Sequence, residues 1–230
     1  MTTLPPGNRL LESLPSEDRA AVVAHSVTVD FAQGQVFYEP GDRIEHAYFV
    51  ENGVVSSVAV LADGRTVETL MIGREGLVGA SACIGPMVSH TRVNALIAGS
   101  ARRLDTARLR TLCSERLAIR EAIAAFQAEL QRELEQSAAC NALHRADQRF
   151  AKWLLRSNDR VGGDALAMTQ EYLASMLGAQ RTTLNEAAQT MQKAGAIAYS
   201  RGRIRVTDRA ALERVACECY RVSARERGVH

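Results

Sequence analysis

The sequence lacks the features that would place a protein in a membrane or outside the cell. No apolar run in its 230 residues approaches the length that a membrane-spanning helix needs. The N-terminus lacks the basic and then apolar pattern of a signal peptide, so we expect a cytoplasmic protein with no membrane partner. The five cysteines are odd in number and scattered, which is typical of reduced thiols rather than of a disulfide framework.

Groups of residues that carry enzyme chemistry are also missing. No nucleophile has a plausible neighbouring base, and no set of residues has the paired ligand spacing of a zinc site. Cys217 and Cys219 could bind a metal or become oxidised, but a single intervening residue does not match that spacing. Gly73, Gly76 and Gly79 do not match a nucleotide-binding loop, and a turn-rich sheet explains them better. The sequence therefore predicts a protein that is not an enzyme and has no metal site.

The formal net charge is only +2, but it is distributed unevenly along the chain. Before residue 139 there are 13 Lys and Arg against 17 Asp and Glu, whereas from Ala139 onward there are 15 against 9. The length and the hydrophobic content of 47% are those of a globular protein large enough for two domains. The basic C-terminal part is the part that we expect to meet a polyanion.

Short β-prone runs separated by turn residues fill the region from Val27 to about Leu104. Asp63-Gly64 stands between two such runs and predicts a β-hairpin. Many short strands with glycine turns indicate a sandwich or a small barrel. Before this region, an apolar run followed by Pro15 predicts a short helix, a break and a second helix with Ser16 as its cap.

From Thr106 to about Asn158 the pattern becomes helical, and Asp105 can cap the helix that starts at Thr106. A narrow apolar seam recurs on this helix at steps of four, three, four and four residues. Such a seam usually faces another helix, as in a coiled coil, although it could pack on the chain's own barrel instead. We favour a homodimer contact. The seam consists of Ile119, Ile123, Phe126, Leu130 and Leu134.

Residues 169–194 have the pattern of two short helices with a tight turn between them. Thr169 can cap the first helix, and Gly178 stands at the turn, where a residue without a Cβ is needed. The second helix has an apolar inner face and an outer face rich in side chains that hydrogen-bond in a directed way. A helix that reads base edges in the DNA major groove needs such a face. The outer residues are Gln180, Arg181, Thr182, Asn185, Glu186 and Gln189.

A hairpin signal follows these two helices. Two β-prone runs flank Arg201-Gly202-Arg203, which predicts a turn whose Arg201 and Arg203 face a phosphate backbone. The two helices alone could be an ordinary helical hairpin with a solvated face. When the β-hairpin follows them, the two helices predict a winged helix, because the combination of both elements is more specific than either element alone.

The order of these parts resembles the family of the cyclic-AMP receptor protein and the fumarate–nitrate regulator (CRP/FNR) from about residue 10 to residue 208. The Leu-Ala, Leu-Gly and Arg-x-Thr skeleton within Glu171–Glu186 looks like the recognition element of that family. Phe49–Val55 followed by Asp63-Gly64-Arg65 resembles its hairpin signature. The resemblance implies an α+β fold with three parts: a cupin-like β-roll sensor domain (1–105), a long dimerisation helix (106–139) and a C-terminal winged helix-turn-helix domain (140–230).

The resemblance further implies a homodimeric transcription regulator that binds a double-stranded DNA operator and works with RNA polymerase. Arg181 falls on a DNA-contacting arginine of the family, and Thr182 and Glu186 fall on its other two reading positions. The family usually has Glu or Ser, and Arg, at those two positions, so we expect a different operator. Glu186 would accept from a cytosine amino group, or Asn185 could pair with adenine instead. The alternative is a cupin-like small-molecule-binding protein whose C-terminal domain mediates protein contacts.

The predicted effector cassette of the β-roll departs from the family's cyclic-nucleotide pattern. Gly79 matches the cassette, but Ala80 stands where the ribose-binding glutamate should be. His90 and Thr91 stand in place of the arginine–serine pair, and Arg92 could reach the phosphate only if the loop alignment has slipped. Because a desolvated phosphate must be paired, we predict that cyclic AMP does not bind tightly.

Other cofactors of the family can be compared with the sequence in the same way. An iron–sulfur switch uses clustered cysteines, usually near the N-terminus, whereas the first cysteine here is Cys83, so we expect no such cluster. His25, His46, His90 or Cys83 could serve as an axial haem ligand, but a lone histidine is more often an ordinary core or surface residue. The cofactor is therefore left open.

Overall fold

The computed structural model describes residues 7–161, 166–168, 170–200 and 202–221. These residues form two compact units. The N-terminal unit contains residues 7–60 and 69–132, and the C-terminal unit contains residues 61–68 together with those from 133 onward.

An antiparallel sheet and four short helices form the first part of the chain that the structure describes. In chain order the elements are α1 (Arg9–Glu12), α2 (Ser16–Ala24), β1 (Ser26–Phe31), β2 (Val36–Tyr38), β3 (His46–Val60), β4 (Thr66–Ile72), β5 (Leu77–Val78), α3 (Ser81–Ile84), β6 (Arg92–Asp105) and α4 (Thr106–Glu115). The strand order of the sheet is β1-β6-β3-β4, with β2 paired to β6 and β5 paired to β3. This is the predicted β-roll, and the predicted hairpin joins β3 to β4 at Asp63-Gly64.

The two long strands, β3 and β6, approach each other closely at a pair of glycines. Gly53 has a φ of +82°, and a Cβ there would lie 2.8 Å from the carbonyl oxygen of Ala98 and 2.9 Å from the Cα of Gly99. The register between the strands shifts on both sides of this position. Glycine is therefore required here both by the backbone conformation and by the lack of space.

The predicted helix caps are correct at one position and wrong at another. Asp105 accepts a hydrogen bond from the backbone N–H of Arg108 and caps α4, as predicted. Ser16 is not a cap, because Pro15 occupies the cap position and Ser16 is the first helical residue. Because the side chain of proline has no hydrogen-bond acceptor, this helix begins without a side-chain cap.

The region from Thr106 to Asn158, which was predicted to be helical, contains three helices. After α4, Arg116 adopts an extended conformation, and α5 (Leu117–Leu143) and α6 (Ala146–Val161) follow. The apolar seam of α5 begins inside the N-terminal unit, where Ile119, Ile123 and Phe126 are 1%, 1% and 8% exposed.

These three side chains belong to the core of the β-roll, so they are not a surface for a partner. Leu130 is partly buried against the same core, and Leu134 is 40% exposed. The first part of the seam therefore packs on the chain's own barrel, which was the alternative to the favoured dimer contact.

Where it is described, the C-terminal unit has a helical core and a small three-stranded sheet, in which the strand Arg203–Val206 lies between Leu166–Ala167 and Ile197–Ser200. Phe150, Trp153, Leu154 and Leu155 of α6 are buried, as expected for the start of a second core. No helix among the described residues is both long and apolar enough to cross a bilayer. The elements after α6 are β7 (Leu166–Ala167), α7 (Gln170–Leu177), α8 (Arg181–Lys193), β8 (Ile197–Ser200), β9 (Arg203–Val206) and α9 (Arg209–Val215).

Candidate nucleic-acid interface

The turn between α7 and α8 is tight and depends on Gly178. This residue has a φ of +57°, and its N–H donates to the carbonyl of Ser175 over 3.1 Å. The N–H of Ala179 donates to the carbonyl of Ala174 over 3.0 Å, which satisfies the end of α7. Gln180 then adopts an extended conformation and precedes α8 without a side-chain cap. The predicted helix–turn–helix is confirmed.

Helix α8 has two different faces. Leu184, Ala187, Ala188 and Met191 are buried and fix the helix on the core. The opposite side carries the predicted reading residues. Gln180, Arg181, Thr182, Glu186 and Gln189 are exposed, and Asn185 is half-buried.

The hairpin after α8 also forms, with Ser200 of β8 opposite Arg203 of β9. Gly202 occupies the turn with a φ of +73°. Arg203 is exposed, whereas Arg201 and Thr169 lie outside the described residues.

Sequence reasoning missed one basic residue of this hairpin. Arg205 is exposed two residues after Arg203, and the intervening Ile204 is 1% exposed. Alternate residues of a strand point to the same face, so both arginines lie on the outer face of β9. The Arg-Ile-Arg alternation in the sequence is the signal that could have found Arg205.

The effector cassette lies within the N-terminal unit, around β5 and α3. Gly79 has a φ of +82°, and a Cβ there would lie 2.8 Å from the hydroxyl oxygen of Tyr38. Ala80 follows it directly before α3 and is 4% exposed. His90 is exposed. Two of the positions that depart from the cyclic-nucleotide pattern, Ala80 and His90, thus offer a buried methyl group and an exposed imidazole.

The remaining two cassette residues are engaged with other side chains. The hydroxyl oxygen of Thr91 lies 2.7 Å from that of Ser57. The Nε of Arg92 donates to both carboxylate oxygens of Glu39, at 3.0 and 2.9 Å. The guanidinium of Arg92, which was the alternative partner for a phosphate, is therefore already paired with a carboxylate.

A second group of polar side chains lies in the C-terminal unit and was not predicted as a unit. The donor atoms of Cys140, His144, Cys217 and Cys219 all lie within 4.8 Å of one another. A hydrogen bond from the thiol of Cys217 lowers the pKa of Cys140 well below its usual range. The sequence points only to the neighbouring pair Cys217 and Cys219, because Cys140 lies 77 residues before Cys217.

Comparison with known proteins gives two matches that together cover most of both units. The cyclic nucleotide-binding domain matches residues 28–116, and the Crp-like helix-turn-helix domain matches residues 148–215. The chain belongs to the CRP/FNR family of transcription regulators. The members of this family are DNA-binding regulators and not enzymes, which confirms the predicted class.

Three individual proteins are also similar to this chain. A CRP-like cAMP-activated global transcriptional regulator from Mycobacterium tuberculosis is 27% identical in an alignment 205 residues long, which covers 85% of this chain and 90% of the relative. The structure of FixK2 from Bradyrhizobium japonicum is 20% identical with a TM-score of 0.71, covering 84% of this chain and 98% of its own.

The c-di-GMP-responsive regulator CLP from Xanthomonas campestris is 17% identical with a TM-score of 0.69, covering 84% of this chain and 100% of its own. These two structural likenesses show the fold. The named effectors differ among the relatives, so membership of the family does not identify an effector.

Proposed function

We propose that the chain acts as a homodimer that reads a near-palindromic DNA operator with the exposed face of α8. In this proposal residues 1–105 sense a signal, residues 106–139 form the dimer and residues 140–230 bind DNA. The observation that carries the proposal is the division of α8 into a buried apolar face and an exposed face of directed hydrogen-bonding side chains. Two recognition helices related by a twofold axis would enter successive major grooves.

The exposed residues of α8 support distinct roles at the bases. Arg181, in the first turn, is suited to guanine or to the backbone, and Thr182 stands beside it. Glu186 follows one turn later and is suited to accept from a cytosine amino group. Asn185 is half-buried, so it offers less of its side chain to an adenine than an exposed residue would.

Contacts with the phosphate backbone have support from three sources. The first turn of α8 has no side-chain cap, which leaves backbone N–H groups and the positive end of the helix dipole for a phosphate. Arg203 and Arg205 are exposed on β9. The sequence adds Thr169, Arg201 and the basic balance of the C-terminal part.

A twofold partner has support from the face of α5 that lies opposite the buried seam. Leu117, Ala124, Ala128 and Ala138 are exposed on this face, and Leu117 is 56% exposed. Small side chains allow two helices to approach closely. The spacing of these exposed residues along α5 is close to that of a heptad repeat. Leu134 is exposed at the edge of the same face and extends the apolar area. Dimerisation through α5 would bring two α8 helices together for one operator. RNA polymerase is a further partner of the proposed regulator, which the family resemblance implies.

An effector other than cyclic AMP is part of the proposal. Ala80 has no carboxylate for a ribose hydroxyl, and His90 is exposed to solvent. Thr91 is paired with Ser57, and Arg92 with Glu39. A cyclic phosphate would have to displace Glu39 to obtain its charged partner.

The experiment for the DNA interface is a binding titration of Arg181→Ala. Duplexes are first selected from a random library with the wild-type protein, and affinity is then measured by fluorescence anisotropy at several salt concentrations. Loss of one bidentate base contact costs about 1–3 kcal/mol, so we expect roughly 10- to 100-fold weaker binding to the selected site. Binding to random duplex should fall much less, because it depends on phosphates.

The matched control is Arg19→Ala, which removes an exposed arginine of α2. It should leave both affinities unchanged. Equal affinity of the wild-type and Arg181→Ala proteins for the selected duplex would remove Arg181 from the reading role.

A further inference from the structure

Four side chains from two distant segments meet at the end of α5. Cys140 and His144 lie one helical turn apart, and the N–H of His144 donates to the carbonyl of Cys140 over 3.1 Å. Cys217 and Cys219 follow α9 in a tight turn, where the N–H of Tyr220 donates to the carbonyl of Cys217. All four belong to the C-terminal unit.

The distances between the donor atoms fit one metal ion. The sulfurs of Cys140 and Cys217 are 3.6 Å apart, and the sulfur of Cys219 is 3.6 Å from the Nδ1 of His144. Zinc bonds of ordinary length in a tetrahedron place two sulfurs roughly 3.8 Å apart and a sulfur and a nitrogen roughly 3.6 Å apart. The ligands of an iron–sulfur cluster surround several iron atoms and would be farther apart than the 4.8 Å limit seen here.

The surroundings of the four ligands resemble the outer shell of a metal site. The Nε2 of His144 lies 3.1 Å from a carboxylate oxygen of Glu218, which leaves Nδ1 to face the sulfurs. A carboxylate on the far nitrogen is the usual way in which a metal-binding histidine is oriented. The side-chain amide of Gln136 donates to the sulfur of Cys219 over 3.0 Å.

A buried cation completes this environment. Lys152 of α6 is 8% exposed and acts electrostatically on Cys140. Three thiolates and a neutral imidazole around Zn²⁺ carry one net negative charge, which a nearby ammonium would compensate. If the thiols were uncharged, the cluster would offer the buried ammonium no negative charge to compensate its own.

An apolar cysteine cluster accounts for less of what is observed. Buried thiols can pack as small hydrophobic groups, and these three are 0%, 3% and 1% exposed. Such packing would not need an imidazole, an amide and an ammonium around the sulfurs. A Cys140–Cys217 disulfide is the other alternative, because a modest approach of the two sulfurs would form the bond.

We infer that Cys140, His144, Cys217 and Cys219 bind a single zinc ion with three thiolates and the Nδ1 of the histidine. All four positions are filled by protein, which is typical of a structural site rather than a catalytic one. The ion ties residues 217–221 to the last turns of α5. This site is separate from the proposed effector cassette, and its ligands do not lie near the N-terminus, where an iron–sulfur switch of this family usually has its cysteines.

The test uses the full-length protein purified without chelators. Elemental analysis should find about one zinc per chain in the wild type and in Cys113→Ser, which removes a buried cysteine outside the cluster. Cys219→Ser and His144→Ala should hold much less zinc. Glu218→Gln should keep the ion but bind it about 10- to 100-fold more weakly in competition with a chelating dye.

Wild-type protein stripped of metal provides a readout that does not depend on the folding of any variant. Added Co²⁺ should give the visible absorption bands of a tetrahedral, thiolate-rich site, saturating at one equivalent and reversed by Zn²⁺. Absence of these bands, stoichiometric iron, or a Cys140–Cys217 disulfide found by mass spectrometry in the protein as purified would each overturn the inference.

Discussion

At the scale of single residues, the effector cassette shows which departures from the family pattern matter. The Arg92–Glu39 ion pair is partly exposed, with side chains 42% and 41% accessible, and such pairs contribute about 0.2–1 kcal/mol. Displacing Glu39 would therefore cost a phosphate little. The missing carboxylate at Ala80 and the missing guanidinium at His90 cost more binding free energy than the displacement of Glu39, because the polar groups of a buried nucleotide would be left unpaired.

A calorimetric titration with cyclic AMP checks this ranking. We expect no low-micromolar binding to the wild-type protein, and Glu39→Gln should improve the affinity by no more than about fivefold. A low-micromolar dissociation constant for the wild type would contradict the predicted loss of the cyclic-AMP site. Tight binding by the Glu39→Gln variant alone would assign the block to the ion pair instead.

At the scale of elements, periodicity identified the faces of the helices but not what covers them. On α8 the buried residues Leu184 and Met191 lie where the apolar pattern predicted, because that pattern directly encodes the side facing the core. On α5 the same kind of pattern predicts a contact with a partner helix. Ile119 and Ile123 instead pack in the chain's own β-roll, since a helical apolar stripe is satisfied by either neighbour.

The exposed face of α8 leads to a prediction about sequence preference. Glu186→Arg should change the base preferred at one position of each half-site from cytosine to guanine, because a carboxylate accepts from the cytosine amino group and a guanidinium donates to guanine. Selection of duplexes from a random library, followed by sequencing, measures the change.

Gln192→Arg is the matched control for this substitution. It adds the same side chain to an exposed position of α8 nearer its C-terminal end. The N-terminal residues of a recognition helix contact the bases, so the control should keep the wild-type preference. Unchanged selection by Glu186→Arg would place that residue outside the base-reading set.

At the scale of the whole molecule, the sequence does not predict which distant segments come into contact. The order of β-roll, helices and hairpin follows from local patterns, and it matches the fold. The cluster of Cys140 with Cys217 depends instead on how α5 and the segment after α9 are brought together, and no spacing in the sequence reports that. The sequence shows scattered cysteines, and nothing in their spacing indicates that three of them converge.

The dimer is likewise a property of the whole molecule, and Ala128→Glu tests it. Ala128 is exposed near the middle of α5, opposite the buried seam. Two carboxylates brought together at a twofold axis would cost several kcal/mol, so we expect the dimer to weaken by about 100-fold or more. Sedimentation velocity should then find the single chain at concentrations where the wild type is dimeric.

Binding to a full operator should fall together with the dimer, because two linked recognition helices gain about 10²–10⁴ in avidity over one. Binding to an isolated half-site should change little. Ala20→Glu introduces the same charge at an exposed position of α2 and should affect neither measurement. A dimer that survives Ala128→Glu would move the interface to another face, and a wild-type protein that sediments only as a single chain would contradict the homodimer itself.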